Sequence, residues 1–263
     1  AINQVIEQAI QVHAKLAADN RVVVAADYQT IEMPSIADPN AQVLAFQTGA
    51  VDYVADVTAG YRREMATRKL AFYKDNWNEY QRLKAKGYDA YEIDRLLPAD
   101  PRKSVHITPA FGTYFWNFNC QPSLPDGRPN PMADSRVRKA FALVVDREAI
   151  VSGVLKRGDR RAHSFVPRGA MVGYDPPTGL SLDIPEAQRL LRAAGFPNGE
   201  GLPPIELLYT PRDELICQAV ARMWETQLGV TVVLKAKESK TFGEDKANHR
   251  FMIARGNWYA DYN

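Results

Sequence analysis

Apolar positions along this chain switch between a helical period of 3.6 and a strand-like period of 2, and the switches lay out its elements. Ile2, Val5, Ile6, Ala9, Ile10 and His13 share one face of a helix over residues 1–20, and residues 21–26 read as a strand. Asp38-Pro39-Asn40 forms a helix start; the helix carries Val43, Leu44 and Phe46 and ends before Gly49, with a short strand expected at 51–54. Residues 60–97 are different in character. Arg, Lys and Glu there surround Tyr61, Phe72, Tyr73, Trp77, Tyr80, Tyr88 and Tyr91, and the spacing predicts two amphipathic helices broken near Gly87. Those aromatics either seat the helices on a neighbouring surface or line a binding cage; seating is the simpler account. Residues 98–102 (PADPR) read as a linker.

Beyond the linker the pattern is regular. Residues 113–119 form a strand. Asp134 caps a helix with Val137, Ala140, Phe141, Val144 and Val145 on one face, and Asp146 caps the next, over 147–156. Residues 158–181 are rich in Gly and Pro and lack a period. Pro185 and Gly195 bracket a helix. A strand at 205–209, a helix at 213–228, and strands at 230–235 and 251–254 follow. Strands alternating with helices predict an α/β fold with mixed, partly parallel sheets flanked by helices.

Composition narrows the functions without choosing one. With 46% apolar and 24% charged residues in 263, the chain has globular proportions. A formal charge of +2 and short, mixed basic runs (Arg62-Arg63, Arg157-Gly-Asp-Arg160-Arg161) argue against a nucleic-acid partner. No apolar run approaches the ~18–20 residues that cross a bilayer, and the first residues lack a signal-peptide pattern. Nucleophile-elbow, Walker, dinucleotide-binding and zinc-protease motifs are missing. The four histidines, His13, His106, His163 and His249, have no ligand spacing, and Asp213-Glu214 reads as a helix first turn. No catalytic residue, metal or cofactor is expected. Cys120 and Cys217 either pair or remain buried thiols.

The closing segment carries the candidate chemistry. The apolar run at 251–254 delivers Arg255, Trp258 and Asp261 into an expected loop, because Gly256-Asn257 interrupts the strand pattern. A cation, an aromatic plate and an anion suit a ligand bearing both charges. Fully extended, the segment spans up to ~20 Å, whereas a tripeptide's termini lie within ~10 Å, so a bend at Gly256-Asn257 is expected. The alternative is internal: Arg255 and Asp261 pair with each other or with neighbouring structure, and Trp258 is core.

The order of segments resembles the oligopeptide/dipeptide-binding proteins of ABC importers, solute-binding protein family 5. The resemblance rests on DPNAQVLAFQTGAVD at 38–52, GTYFWNFN at 112–119, DSRVRKAFALVVDREAIV at 134–151, AAGFPNG at 193–199, MWETQLGV at 223–230 and ARGNWYADYN at 254–263. It covers residues 34–57 and 105–263. It implies periplasmic-binding-protein-like lobes, with 1–110 part of the first and 111–263 most of the second. Family members begin before Ala1 and run on past Asn263 to return to the first lobe, so the chain is expected to be part of a larger receptor. Residues 60–97 then look like an insertion, and residues 1–30 match poorly.

By resemblance, Asp261 meets a ligand ammonium, Arg255 a carboxylate, and Trp258 walls a side-chain pocket. Extended backbone at Asn257 and Tyr259 suits a ligand's main chain, and Phe115 joins the set from its strand. The implied partners are a peptide or other small zwitterionic solute and an inner-membrane ABC permease, for a monomer that is periplasmic or otherwise extracytoplasmic, with membrane anchoring left open. Ser239 stands where some members have a second tryptophan. The stretch Arg212-Asp213-Glu214-Leu215 is shorter and more acidic than where others place a histidine, and Gly112 and Tyr259 replace a cysteine pair. Alternatives are the same fold holding a sugar, metal chelate or opine, and a scaffold-derived enzyme or signalling module.

Overall fold

The computed structural model describes residues 34–36, 38–54, 57, 59–98, 105, 112–167, 170, 171 and 173–259. The elements expected over 1–26, residues 99–102 of the linker, and Asp261 lie outside the described residues. The chain divides into two compact units, 1–55 and 56–263.

In the first unit, helix α1 (Pro39–Gln47) starts as expected: an Asp38 carboxylate oxygen accepts the Ala41 N–H at 2.7 Å, and Pro39 lies in the first turn. The short strand at 51–54 does not form. The Val51 N–H donates to the Ala45 carbonyl at 3.3 Å, so the segment closes the helix end instead of entering a ladder.

The second unit opens with helices α2 (Ala59–Asp75), α3 (Trp77–Ala85) and α4 (Ala90–Leu96), one more than the periodicity predicts. The extra break is at Asn76. Its side-chain amide donates to the Phe72 carbonyl at 2.9 Å, and its own backbone leaves helical geometry (φ −107°, ψ 25°). The expected break at Gly87 does occur, at φ +87°, and a capping box between Asp89 and Glu92 starts α4. Of those aromatics, Tyr73 seats the helices, buried with Leu83, Ile93 and Leu97 and with its ring 4.9 Å from that of Tyr80, whereas Trp77 and Tyr88 are exposed. Lys69, fully buried, pairs with Asp94 at 3.0 Å, and the Tyr73 hydroxyl donates to the same carboxylate at 2.8 Å.

A four-stranded mixed sheet follows: β1 (Gly112–Phe118), β2 (Ile205–Tyr209), β3 (Val232–Ala236) and β4 (Ile253–Tyr259), in the spatial order β1-β4-β2-β3. β2 runs parallel to β3 and β4, while β1 runs antiparallel to β4. Alternation sends Leu207, Tyr209 and Ile253 into the main core with α5 (Ser135–Leu143), α6 (Ile184–Ala193) and α7 (Glu214–Leu228). Trp224 anchors that core; its indole N–H donates to the Phe141 carbonyl at 2.9 Å. The predicted caps hold: Asp134 accepts from the Arg136 N–H at 2.8 Å, and Asp146 from the Ala149 N–H at 2.9 Å. After Arg147–Ala149 the helix widens into π geometry over Ile150–Leu155.

On the opposite face, Leu208 and Ala254 pack with Phe242 of α8 (Ser239–Ala247). The hydrophobic pattern predicts no helix there. Phe242 is the one buried residue of α8, and a single apolar anchor creates no period.

Candidate functional site

The site is built where β4 outruns its neighbour. Leu207 and Leu208 of β2 pair with Ile253 and Ala254, after which the chain of β2 turns through Thr210 and Pro211–Asp213 into α7. From Arg255 onward β4 keeps β1 on one edge, and among the described residues no strand pairs with its other edge. The Asn119 N–H donates to the Met252 carbonyl at 3.0 Å, so Met252 faces β1. Alternation along an antiparallel pair then turns the backbone groups of Arg255, Asn257 and Tyr259 away from β1. The Leu208–Ala254 pairing takes the Arg255 N–H, which leaves the Arg255 carbonyl and the backbone groups of Asn257 and Tyr259 on the open edge.

This corrects the expectation of a loop and a bend at Gly256-Asn257: β4 continues extended through Tyr259. Gly256 lies opposite Phe115, and a Cβ there would come within 2.8 Å of the Phe115 ring and 2.7 Å of the Asn117 amide nitrogen. The glycine therefore makes room for an aromatic ring laid across the strand. It supplies no turn.

Each proposed site residue except Asp261, which lies outside the described residues, now has a place. Asn257, Trp258 and Tyr259 are exposed, the two aromatics at 62% each, so Trp258 is not core. Trp258 faces Thr113 and Tyr259 faces Gly112 across the β1–β4 pair. Phe115 is half-buried and meets Phe165 edge-on at 5.0 Å. Phe165, 59% exposed, belongs to the segment without regular structure, which the Thr113 hydroxyl ties to β1 by donating to the Phe165 carbonyl at 2.7 Å. Sequence reading missed Phe165 because no periodicity marks it.

Arg255 is engaged within the protein. Its Nε lies 2.8 Å from an Asp213 carboxylate oxygen, with both side chains about 14% and 13% exposed. The Nε–H is not aimed along a hydrogen bond, so charge holds this contact. One terminal nitrogen donates to the Thr210 hydroxyl at 3.2 Å and the other to the Asn257 side-chain oxygen; the guanidinium also lies 5.1 Å from the Phe242 ring centre. The Thr210 hydroxyl in turn donates to Asp213 at 2.6 Å. Among the described residues, Arg255 meets neighbouring structure; the other internal partner considered, Asp261, lies outside them. Asp213, read from sequence as a helix first-turn acid, is its counter-ion. The other acid of that turn, Glu214, accepts from the Tyr209 hydroxyl at 2.6 Å.

Among the described residues, the buried side-chain polar atoms without a hydrogen-bond partner are Tyr114 Oη, Trp116 Nε1, Asn117 Nδ2 and Arg255 Nε. All lie on β1 and β4. Burial, with the Cys217 thiol and Asp213 nearby, pushes the Tyr114 phenol well above its ordinary range.

Cys217 is buried and Cys120 exposed, and both are free thiols. Desolvation pushes Cys217 up from 9.0 to about 12. Its folded-state value is raised, so its contribution to stability is complete below the unfolded value and is lost as pH climbs from 9.0 through about 12. A thiol-titrating disulfide reagent at pH 8 is expected to label one thiol per native chain and two after unfolding. Rapid labelling of both in the native protein would contradict the burial of Cys217.

A mixed sheet with helices on both faces, ending in an open strand edge beside exposed aromatic plates, defines a lobe of the periplasmic-binding-protein type. Residues 23–263 match the model of the bacterial extracellular solute-binding proteins, family 5 Middle, and the chain belongs to that family. It is 34% identical over 187 residues to the periplasmic oligopeptide-binding protein OppA of Salmonella typhimurium, covering 65% of this chain and 32% of that protein. To the periplasmic murein peptide-binding protein MppA of Escherichia coli it is 34% identical over 167 residues, 60% of this chain and 29% of that one. The solved murein tripeptide-binding protein MppA of Escherichia coli aligns with a TM-score of 0.52 at 34% identity, over 59% of this chain and 30% of that chain. OppA of Burkholderia pseudomallei aligns with a TM-score of 0.61 over 87% of this chain and 39% of that chain; at 23% identity it speaks to the fold alone. The chain thus spans about 30% of the length of these curated relatives.

Proposed function

We propose that this chain forms part of an extracytoplasmic receptor that encloses a peptide between two lobes and delivers it to an ABC permease, without catalysis. Residues 111–263 supply most of the second lobe and 1–110 part of the first. The open edge of β4 at Asn257 and Tyr259 carries the reading. A peptide's backbone is the same whatever its side chains, so an exposed strand edge binds it by main-chain hydrogen bonds while open, aromatic-walled space admits varied side chains. Trp258, Tyr259, Phe115 and Phe165 supply such walls. The two relatives compared in sequence are named as peptide-binding proteins, which agrees with this chemistry.

Asp261, two residues past the described part of the strand, is the proposed anchor for the ligand's α-ammonium group. A desolvated ammonium needs an anion with good hydrogen-bond geometry. In the intact protein, Asp261→Ala is expected to weaken trialanine binding about tenfold, in keeping with a hydrogen bond between charged groups. N-acetyl-trialanine, which lacks that charge, should bind equally to both proteins. Calorimetry that found the same loss for both peptides would remove the ammonium role.

A further inference from the structure

Arginine grips a carboxylate through two parallel N–H groups of its planar fork, so its availability as an anchor depends on which of those groups are already used. At Arg255 every guanidinium nitrogen has a protein neighbour: Nε beside Asp213 at 2.8 Å, one terminal nitrogen on Thr210 at 3.2 Å and the other on Asn257. The Phe242 ring lies 5.1 Å from the same group. Asp213 is itself held, since Thr210 donates to it at 2.6 Å and both members of the ion pair are mostly buried. The result is a cation held against its own anion, with both terminal nitrogens in hydrogen bonds to the protein, between the end of β2, the start of α7 and β4.

We infer that Asp213 is a specificity-determining residue: by neutralising Arg255 it withdraws the carboxylate anchor from this site, so that binding does not discriminate a peptide's free C-terminus from an amide. This rests on the peptide-receptor reading above. A ligand carboxylate entering here would have to displace Asp213 from a desolvated pair, leaving one buried anion facing another. A peptide that runs past Arg255 with its terminus elsewhere, or one with a blocked terminus, meets no such cost. Arg255 then serves as a positioning residue. It ties β4 to the β2–α7 turn and leaves the strand edge, rather than a charge, to meet the ligand.

Two measurements on the intact protein test this. In the first, phenylglyoxal modification is read by peptide mass spectrometry. Arg255 should react at least about tenfold more slowly than Arg161, whose side chain is 56% exposed. Equal rates in the wild type would overturn the proposal without any variant. In Asp213→Asn, which keeps an acceptor oxygen for Thr210, Arg255 should become reactive.

The second measurement is calorimetry with trialanine and trialaninamide, which differ only at the C-terminus. The wild type should bind them within about threefold, and Asp213→Asn should favour the acid by about tenfold, the worth of one charge-assisted pair. A tenfold preference for the acid in the wild type, or none in an Asp213→Asn protein whose Arg255 has become reactive, would overturn it. If neither protein binds either peptide while Arg255 stays protected, the peptide-receptor reading falls, and the specificity role with it. A reactive Arg255 in the wild type sinks the specificity role alone.

Discussion

Lys69→Met is expected to cost the protein about 3–5 kcal/mol, the usual result of removing one partner from a buried ion pair. Lys69 is fully buried and Asp94 is 4% exposed at its side chain, 3.0 Å apart between α2 and α4. The ammonium also lies 5.2 Å and 5.1 Å from the ring centres of Phe72 and Tyr73, so the cation is held on two aromatic faces as well as by the carboxylate. Taking the lysine away removes this cation from the buried Asp94 carboxylate, to which the Tyr73 hydroxyl still donates. The double variant Lys69→Met, Asp94→Leu should recover most of the loss, because two apolar side chains suit a site already faced by the Phe72 and Tyr73 rings. Urea unfolding followed by far-ultraviolet circular dichroism gives the comparison. If the double variant is as unstable as the single one, the charge imbalance is not the cause.

Gly256→Val should destabilise by about 3 kcal/mol, the upper end of what overpacking costs, and should act through one identifiable contact. The backbone at Gly256 is not left-handed, so conformational strain is not the issue. Space is. The new Cβ meets the Phe115 ring and the Asn117 amide, and the ring is in turn seated edge-on against Phe165. Adding Phe115→Ala to Gly256→Val should therefore restore much of the stability, so that the two changes are strongly non-additive. Simple addition of the two losses would show that the ring is not what excludes a side chain. Because Phe115 and Phe165 form part of the aromatic surface beside the open edge, the single variant should also weaken trialanine binding.

Much of the architecture is legible in the residues because its signals are local. Asp38, Asp134 and Asp146 each satisfy a first-turn N–H of the helix they precede, and the apolar periods of α5, α6 and α7 mark faces that a core must cover. The order of those segments, with ARGNWYADYN at the end, is also enough to place the chain in its family. The candidate site is legible only in part. Arg255, Trp258 and Tyr259 stand out as residue types, but their states do not follow from type. Two exposed rings and one spoken-for cation look alike in a sequence.

What the tertiary structure decided involves residues far apart in the chain. Gly256 reads locally as a strand breaker, yet it continues β4 because Phe115, on a strand that begins over a hundred residues earlier, fills the space above it. Arg255 reads as a ligand's cation, yet the turn into α7 brings Asp213 against it. The Lys69–Asp94 pair reads as solvated charge in a polar stretch until the packing of α2 on α4 removes it from water. Caps, periods and stops are properties of a few neighbouring residues, so the sequence by itself determined the elements and their order. Desolvation and charge pairing depend on which elements meet, and so the folded chain alone determined which groups on β4 stay exposed and which are paired.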